Sequence, residues 1–525
     1  MKHRSAFLLL VLLAGPAEAQ TPIAAILDTI QHTAFNYFWL EANPANGLIK
    51  DRKLAGAPCS IASTGFGLSA ICIGVDHGWV SRAAARDRVL TALRTFWYGP
   101  QGSGDGYIGN FGLFYHMLDM NTATRTWNSE LSTIDTGLLL AGIVDAQQYF
   151  DGTDSAETLL RSYADSIYMR MQWSYMRDNQ FGIELGWMPG TGFSGYGQWV
   201  GYSEASIMYI LAMGSPTPSY RVNQYGWLIW TSGYSWINYS GYQYVAFPPL
   251  FGHQYSQCWL DLRSIADDYM TNAGITYFEN SRRATYAQRA YSALNPGGFP
   301  GYSDTLWGIT ASDVPPPVGY AARGAPPAQN DEGTISPTAP ISSIPFAPEI
   351  VIPVIRNMWE NYRSQLWTPY GFRDAFNFKQ NWFDSDIVGI DQGPEIIMIE
   401  NYLNGRVWNR FMKNPDIQRG LAAAGFLPVT GIRATGLPPG YALSQNYPNP
   451  FNPSTKISFS LARQDRVTLK VYDTLGRTVA TLIDGTLPAG GHSAQFDARG
   501  LASGVYVCRL SAGSYSATRP MVLLK

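Results

Sequence analysis

Cysteine is scarce in this chain, with only Cys59, Cys72, Cys258 and Cys508 in 525 residues. Three of them precede residue 430, so at most one disulfide is expected in that longer part, and no pair has zinc-knuckle spacing. There are six histidines, one of them His3, and they do not cluster. With no His/Cys/Asp set at ligand spacing, neither a metal nor another cofactor is expected. Charge is thin too: 14% of residues are charged and the net charge is −2. That balance gives no reason to expect nucleic acid or an anionic membrane as partner. No apolar run approaches the roughly 20 residues that a membrane span needs, and no internal repeat stands out.

Other features are plentiful. Met1-Lys-His-Arg is basic, Ala6–Leu13 is apolar, and Ala17-Glu-Ala19 is a small-x-small cleavage signal. Residues 1–19 therefore read as a signal peptide ahead of a soluble, exported chain. Aromatic residues make up 14%, including 16 Trp and 32 Tyr. Their flat apolar faces with polar edges suit both core packing and stacking on sugar rings.

Apolar residues at helical spacing mark Ile23–Leu40, Ile61–Gly78, Arg82–Trp97, Leu131–Phe150, Ala156–Trp173 and Glu204–Met213. Further helices are expected over Ser256–Tyr269, Ser281–Ala293, Pro348–Tyr362, Pro394–Phe411 and Asn414–Ala424. Long loops separate them at 98–128, 174–202, 214–254, 295–347 and 363–393, and hold too much Trp, Tyr and Phe for disorder. Helices joined by long aromatic loops are the layout of an α/α toroid, whose loops build a cleft at one end. After Phe426 the composition changes. Residues 427–440 are a Gly/Pro linker, and alternation at Ile457, Phe459, Leu461 and Val467, Leu469, Val471 predicts a small β-sandwich over 441–525. Asp473 and Arg477 read there as a β-turn pair.

The tail resembles the C-terminal sorting domains of the bacterial type IX secretion system. The resemblance runs through Tyr441-Ala-Leu-Ser-Gln-Asn-Tyr-Pro-Asn-Pro-Phe-Asn-Pro-Ser-Thr-Lys456, Val471-Tyr-Asp-Thr-Leu-Gly-Arg477 and Leu501-Ala-Ser-Gly-Val-Tyr506. It implies passage through the periplasm to the exterior or cell surface, with the secretion machinery as partner of 441–525. Within a domain expected over residues 20–426, segments covering most of 23–425 resemble the bacterial glucoamylase-like family that includes endo-β-1,2-glucanases and sophorose-releasing hydrolases. The segments that carry this are Cys59-Ser-Ile-Ala-Ser-Thr-Gly-Phe-Gly67, Gly112-Leu-Phe-Tyr-His-Met-Leu-Asp119, Glu130-Leu-Ser-Thr-Ile-Asp-Thr136 and Gly201-Tyr-Ser-Glu-Ala205. His253-Gln-Tyr-Ser-Gln-Cys-Trp259, Trp307-Gly-Ile-Thr-Ala-Ser-Asp313 and Gly389-Ile-Asp-Gln-Gly-Pro-Glu395 continue it. The resemblance implies a mainly α chain: an (α/α)6 toroid, followed here by a small all-β, immunoglobulin-like sandwich. It also implies a secreted glycoside hydrolase acting on β-glucan, in particular β-1,2-glucan.

Cleaving a glycosidic bond takes one carboxyl to protonate the leaving oxygen and a second to activate water or attack the sugar. Glu204 opens an apolar helix, where its plain role is to complement the helix N-terminus; the family resemblance makes it the general acid. Asp135, at the edge of an apolar run, is either a hydrogen-bonded anchor or a cleft carboxylate, and Glu130 flanks the same helix start. Asp391, before the helix begun by Pro394, is a cap or the base. Of the carboxylates after it, Glu400 reads as a buried partner of an arginine. Asp313 on a loop is a candidate for sugar hydroxyls, as are Asp331 and Glu332, while His116 and His253 are candidate substrate contacts. Tyr115, Trp259, Trp307 and Trp382 are candidate stacking residues. The mechanism expected is inverting. A glycan-binding protein without activity needs fewer carboxylates than this, and a lyase acting on uronic acids needs more basic residues than these segments hold.

Overall fold

In the computed structural model the described residues are 21–429 and, in the tail, 442–443, 446, 449–461, 465–487, 490–513 and 515–524. The expected signal peptide and residues 430–440 of the expected linker lie outside them. Helix Ile61–Asp76 has no polar face: every residue from Ile61 to Gly74 is buried. The same holds for all of Ser206–Gly214 and for most of Thr133–Tyr149 and Gly389–Asn404. Helices that are apolar all round belong inside. Ile61–Asp76 packs between Thr133–Tyr149 and Gly389–Asn404, and Thr133–Tyr149 packs in turn on Ser206–Gly214. Glycine sets the first of these approaches. A Cβ on Gly142 would stand 1.9 Å from the carbonyl oxygen of Gly65, so only two bare backbones fit there.

Amphipathic helices form an outer layer. Ile23–Leu40 turns Ile26, Leu27, Ile30, Ala34 and Phe38 inward onto Ile61–Asp76 and Gly389–Asn404, while Arg82–Tyr98 packs on Ser155–Arg170. The first turns of the inner helices are tied together at one end of the molecule. Ile61 N–H donates to His116 O at 3.2 Å, His116 N–H to Glu130 O at 2.9 Å, and Gly389 N–H to Asp51 O at 2.7 Å. Two-residue strands extend the tie: Cys59–Ser60 pairs with Met117–Leu118, and Leu131–Ser132 with Gly186–Trp187. Ser60 and Ser132 then cap the helices that follow, each side chain accepting a first-turn N–H, a bond worth about 1 kcal/mol.

Several expected elements change. Ser256–Tyr269 is not one helix but a 3-10 turn over Tyr255–Cys258, a strand Ile265–Ala266 and a short helix Asp268–Ala273. Leu427–Pro428 claims Ile265–Ala266 as an antiparallel partner, which takes those residues out of the helical path and carries paired chain into the expected linker. The expected helix Pro394–Phe411 begins earlier, at Gly389, and breaks at Gly405, whose φ of +67 ends it in the left-handed region. The aromatic stretch 214–254 contains a helix, Gln224–Ser232, and a hairpin, Trp236–Tyr239 with Tyr242–Val245. No helix among the described residues is long and apolar enough to cross a membrane.

The tail forms two antiparallel sheets. One orders Ala442–Leu443, Ser454–Leu461 and Gly490–Asp497; the other orders Thr478–Leu487, Asp465–Tyr472, Gly504–Ala512 and Tyr515–Leu523. Val467, Leu469 and Val471 alternate into a core of its own with Phe496, Leu510 and Met521. Asp473 and Arg477 close a turn, Arg477 Nε donating to Asp473 Oδ2 at 2.7 Å. All four cysteines are free and buried.

Candidate active site

Carboxylates gather where the inner helices begin. Ser132 Oγ accepts the N–H of Asp135 at 3.2 Å and donates to Asp135 Oδ2 at 2.5 Å, which fixes that side chain in the first turn. His116 Nδ1 lies 3.0 Å from Glu130 Oε1, and its Nε2 lies 3.6 Å from Asp135 Oδ2. Burial pulls His116 down, but Asp135 and Glu130 outweigh it and hold the imidazole up at about 9. The ring is therefore an imidazolium at neutral pH. Burial raises Glu130, and the bond with His116 more than reverses this, leaving its carboxyl below its usual value.

Glu204 ends the loop before Ser206–Gly214. Ser256 Oγ donates to Glu204 O at 2.5 Å and accepts the N–H of Ile207 at 2.9 Å, so the backbone is clamped on both sides of the residue. Glu204 as a whole is half-buried, while its Oε2 is fully enclosed and has no hydrogen-bond partner among the described residues. Burial, with a smaller push from Asp135, raises this carboxyl to about 7. A carboxylate that served only the helix N-terminus would be pulled the other way.

Asp391 sits in the first turn of Gly389–Asn404 rather than ahead of it. The turn needs Gly389, where a Cβ would meet Ser63 Oγ at 2.2 Å. Both Asp391 carboxyl oxygens are buried, as is Asp374 Oδ1, with no N–H or hydroxyl donor to any of them among the described residues. The two carboxyls interact side chain to side chain, with Asp374 as the one held protonated. Burial and then Asp391 hold Asp374 well above the carboxylate range. Burial lifts Asp391 to about 7, and the hydrogen bond from Asp374 holds it down. Asp374 Oδ2 accepts the N–H of Asp313 at 2.7 Å. Asp313 in turn takes Arg52 Nη1 on both oxygens, at 3.0 and 3.2 Å. Arg52 also reaches Asp51 at 3.1 Å and Asp386 at 3.6 Å, and so supplies the positive charge under this acid floor.

Tyr255 joins the two halves. It is buried against Phe66 and Phe251, and after burial its hydroxyl is raised by Asp391, Tyr320 and Glu204. Tyr320 stands opposite Asp313 in the hairpin Ser312–Val314/Gly319–Ala321. Although 42% of it is exposed, its hydroxyl end feels Asp391, Asp374, Asp51 and Asp313.

Other sequence candidates lie elsewhere or are closed off. Tyr115, Trp259 and Trp307 are wholly buried and offer no ring face to a substrate. Tyr115 donates to Gly102 O at 3.0 Å, and Trp259 donates to Ser69 Oγ at 2.9 Å while stacked on Phe66. His253 is buried against Tyr202 with both ring nitrogens unpartnered, and burial drives it down to about 3. It is a neutral core histidine. Trp382 is half-buried in a hairpin, opposite Asn377. Asp331 accepts the hydroxyls of Tyr291 and Tyr302 at 2.9 and 2.7 Å, which makes it a loop anchor. Glu400 pairs with Arg406 at 3.1 Å and with His77 at 2.9 Å. Asp51, Arg52, Asp374, Tyr255 and Tyr320 were not read as site residues from sequence. The one available signal was the adjacent Asp51-Arg52 charge pair in a chain poor in charge.

Among the described residues, two sets bring three ligand atoms within 4.8 Å of one another: His116, Glu130 and Asp135, and Asp313, Asp374 and Asp384. In the first, the imidazolium carries the positive charge among the carboxylates. In the second, Arg52 supplies it and Asp374 keeps its proton.

An inner layer of buried helices, carrying carboxyls at its first turns and wrapped by outer helices, defines the toroid-type class shared by glucanases and glucoamylases. The chain belongs to the family described as "putative glucoamylase", whose model matches residues 196–415. A solved member from Bacteroides uniformis is 32% identical, with a TM-score of 0.72 over 78% of this chain and 99% of that one. The endo-β-1,2-glucanase of Chitinophaga pinensis is 27% identical, with a TM-score of 0.71 over 77% and 99% of the two chains. An exo-β-1,2-glucooligosaccharide sophorohydrolase of Parabacteroides distasonis is 30% identical over 430 residues, which are 75% of this chain. The match spans 57% of that relative's length. Residues 445–524 match the secretion system C-terminal sorting domain, so the protein is addressed to the exterior or the cell surface.

Proposed function

We propose that residues 20–426 form an (α/α)6 toroid that hydrolyses β-glucan, in particular β-1,2-glucan, by single displacement with inversion. On this reading 427–440 is a linker and 441–525 an immunoglobulin-like sandwich read by the type IX machinery. Glu204 gives its proton to the glycosidic oxygen as the bond to the anomeric carbon breaks. Asp391 takes a proton from the water that attacks this carbon from the other face. Asp374 holds the proton of the Asp374–Asp391 pair and donates a hydrogen bond to Asp391, which favours the ionised form of the base. Asp135 and Glu130, with His116 between them, bind sugar hydroxyls, and Asp135 is the alternative base. The observation that carries the reading is the enclosed, unpartnered Oε2 of Glu204, which belongs to a carboxyl half-protonated near neutral pH and shares Tyr255 with Asp391. A cleft this acidic disfavours the uronic acids that lyases take.

The test is product analysis on glucans of defined linkage, with the anomeric configuration of the first product followed by NMR. Release of the inverted anomer from β-1,2-glucan is expected. Glu204→Gln should lower turnover at least about 10²-fold, with partial recovery on substrates bearing an activated leaving group. Asp391→Asn should be slow without that recovery. A wild-type protein that binds glucans and cleaves none would refute the assignment and leave a glycan-binding protein.

A further inference from the structure

The chain from His116 to Glu130 folds back on itself as an irregular hairpin, closed at its base by the His116–Glu130 backbone bond and along its stem by Thr126 N–H donating to Met117 O at 3.0 Å. Near its return, Ser129 N–H donates to Thr126 O at 3.0 Å. The turn so formed has Trp127 and Asn128 at its centre, both with φ of +53. Asn tolerates left-handed backbone, but for Trp the Cβ crowds the following carbonyl. Trp127 is also 64% exposed. Both choices oppose folding: a bulky residue in strained backbone, and a large aromatic face in water. Such a residue persists only where its surroundings over-determine it.

The surroundings do so here. Arg125 is 7% exposed. Its Nε donates to Ser129 O at 2.6 Å, its Nη1 to Asp105 Oδ1 at 2.8 Å, and its guanidinium lies 5.1 Å from the centre of the Tyr115 ring. Ser129 Oγ accepts the N–H of Met117 at 3.1 Å and donates to Met117 O at 3.2 Å. The turn is therefore clamped from both ends, and the indole is left outside the core. Trp127 precedes Glu130 by three residues, so their Cα atoms are at most roughly 11 Å apart. Tyr196 stands beside Glu130 as well: a Cβ on Gly186 would meet Glu130 Cγ and Tyr196 Cε1, each at 3.0 Å.

We propose that Trp127 is the stacking platform of an outer subsite on the Glu130 side of the cleft, taking a hexopyranose ring of the glucan beyond the units at the reacting bond. The apolar C–H face of such a ring covers the indole while its hydroxyls stay hydrated, and this suits a flat exposed aromatic better than a charged ligand does. The inference rests on the hydrolase reading of the cleft.

Wild type, Trp127→Asn and Trp127→Phe are to be compared on β-1,2-linked oligosaccharides of increasing length, together with thermal melting and size-exclusion chromatography. For Trp127→Asn, kcat/KM on the longest substrates should fall roughly tenfold, equivalent to about 1.4 kcal/mol, and the loss should vanish on the shortest cleavable one. Trp127→Phe should keep most of the effect. The Tm of Trp127→Asn should stay level or rise, because Asn relieves the backbone. An equal loss at all lengths with a lowered Tm would make Trp127 structural and overturn the platform, as would no loss at any length. A change of oligomeric state without length dependence would assign the indole to a contact between copies. If the wild type cleaves no glucan, the hydrolase reading fails separately, and retardation in gels containing β-1,2-glucan decides the platform. Retardation lost in Trp127→Asn upholds it, and retardation unchanged or absent in the wild type overturns it.

Discussion

Replacing Glu204 by Gln tests the site through stability as well as rate. Enclosure of the carboxyl raises it from 4.5 to about 7, so the folded protein holds this proton more tightly than the unfolded chain does. The stabilisation is fully present below about 4.5 and is lost as pH rises through about 7. At about 1.4 kcal/mol for each factor of ten, the interval is worth about 3 kcal/mol. Part of Glu204 meets solvent, so about 2 kcal/mol is the better figure. Gln fills the same space and carries no charge. Glu204→Gln should therefore match wild type at pH 4 and exceed it by about 2 kcal/mol at pH 8, while being nearly inactive. All 16 Trp precede residue 430, so tryptophan fluorescence in a denaturant titration reports the helical part alone. A carboxylate that merely complements the helix N-terminus gives the opposite sign, a loss of about 0.3–1 kcal/mol at pH 8. That outcome, with turnover near wild type, would refute the acid assignment.

The pH profile of kcat/KM should be a narrow bell near neutrality, because Glu204 must be protonated and Asp391 ionised, and both sit at about 7; a profile flat over several pH units would contradict it. Gly142→Ala should cost about 2 kcal/mol or more, measured by the same fluorescence titration, because its Cβ would meet the Gly65 carbonyl at 1.9 Å; a neutral result would mean the helices part freely. Deleting 441–525 should leave glucan hydrolysis by the purified protein unchanged, and loss of most specific activity with an intact helical fold would argue against the boundary.

Much of the helical layer was legible because burial leaves a pattern. Ile23–Leu40 was bounded to the residue by its apolar stripe, and the helix expected over Ile61–Gly78, apolar on nearly all sides, ends at Asp76 and lies in the inner layer. What failed depended on distant chain. Ile265–Ala266 pairs with Leu427–Pro428, and no local periodicity over Ser256–Tyr269 announces a partner so far along the sequence. The site divides in the same way. Glu204, Asp135 and Asp391 lie at the starts of apolar helices, where a carboxylate stands out against its neighbours. Asp374 and Arg52 lie in loops and matter only through Asp391 and Asp313, which they meet in space. The tryptophans misled for a related reason: composition counts indoles but does not say which of them face water. Trp259 and Trp307 went to the core, whereas Trp127, set in a short polar loop, did not.

The four free cysteines have a practical side. Burial lifts the thiols of Cys59 and Cys508 to about 12 and those of Cys72 and Cys258 well above their ordinary value. Since the thiolate is the reactive species, none of them takes part in thiol exchange while the protein is folded. A molecule bound for the oxidising side of a membrane thus folds there without waiting for an oxidase, and it tolerates reductant afterwards. It also presents a silent background for labelling. One cysteine placed on the rim of the cleft would be the single thiol open to a maleimide dye or spin label, with no native residue to remove first.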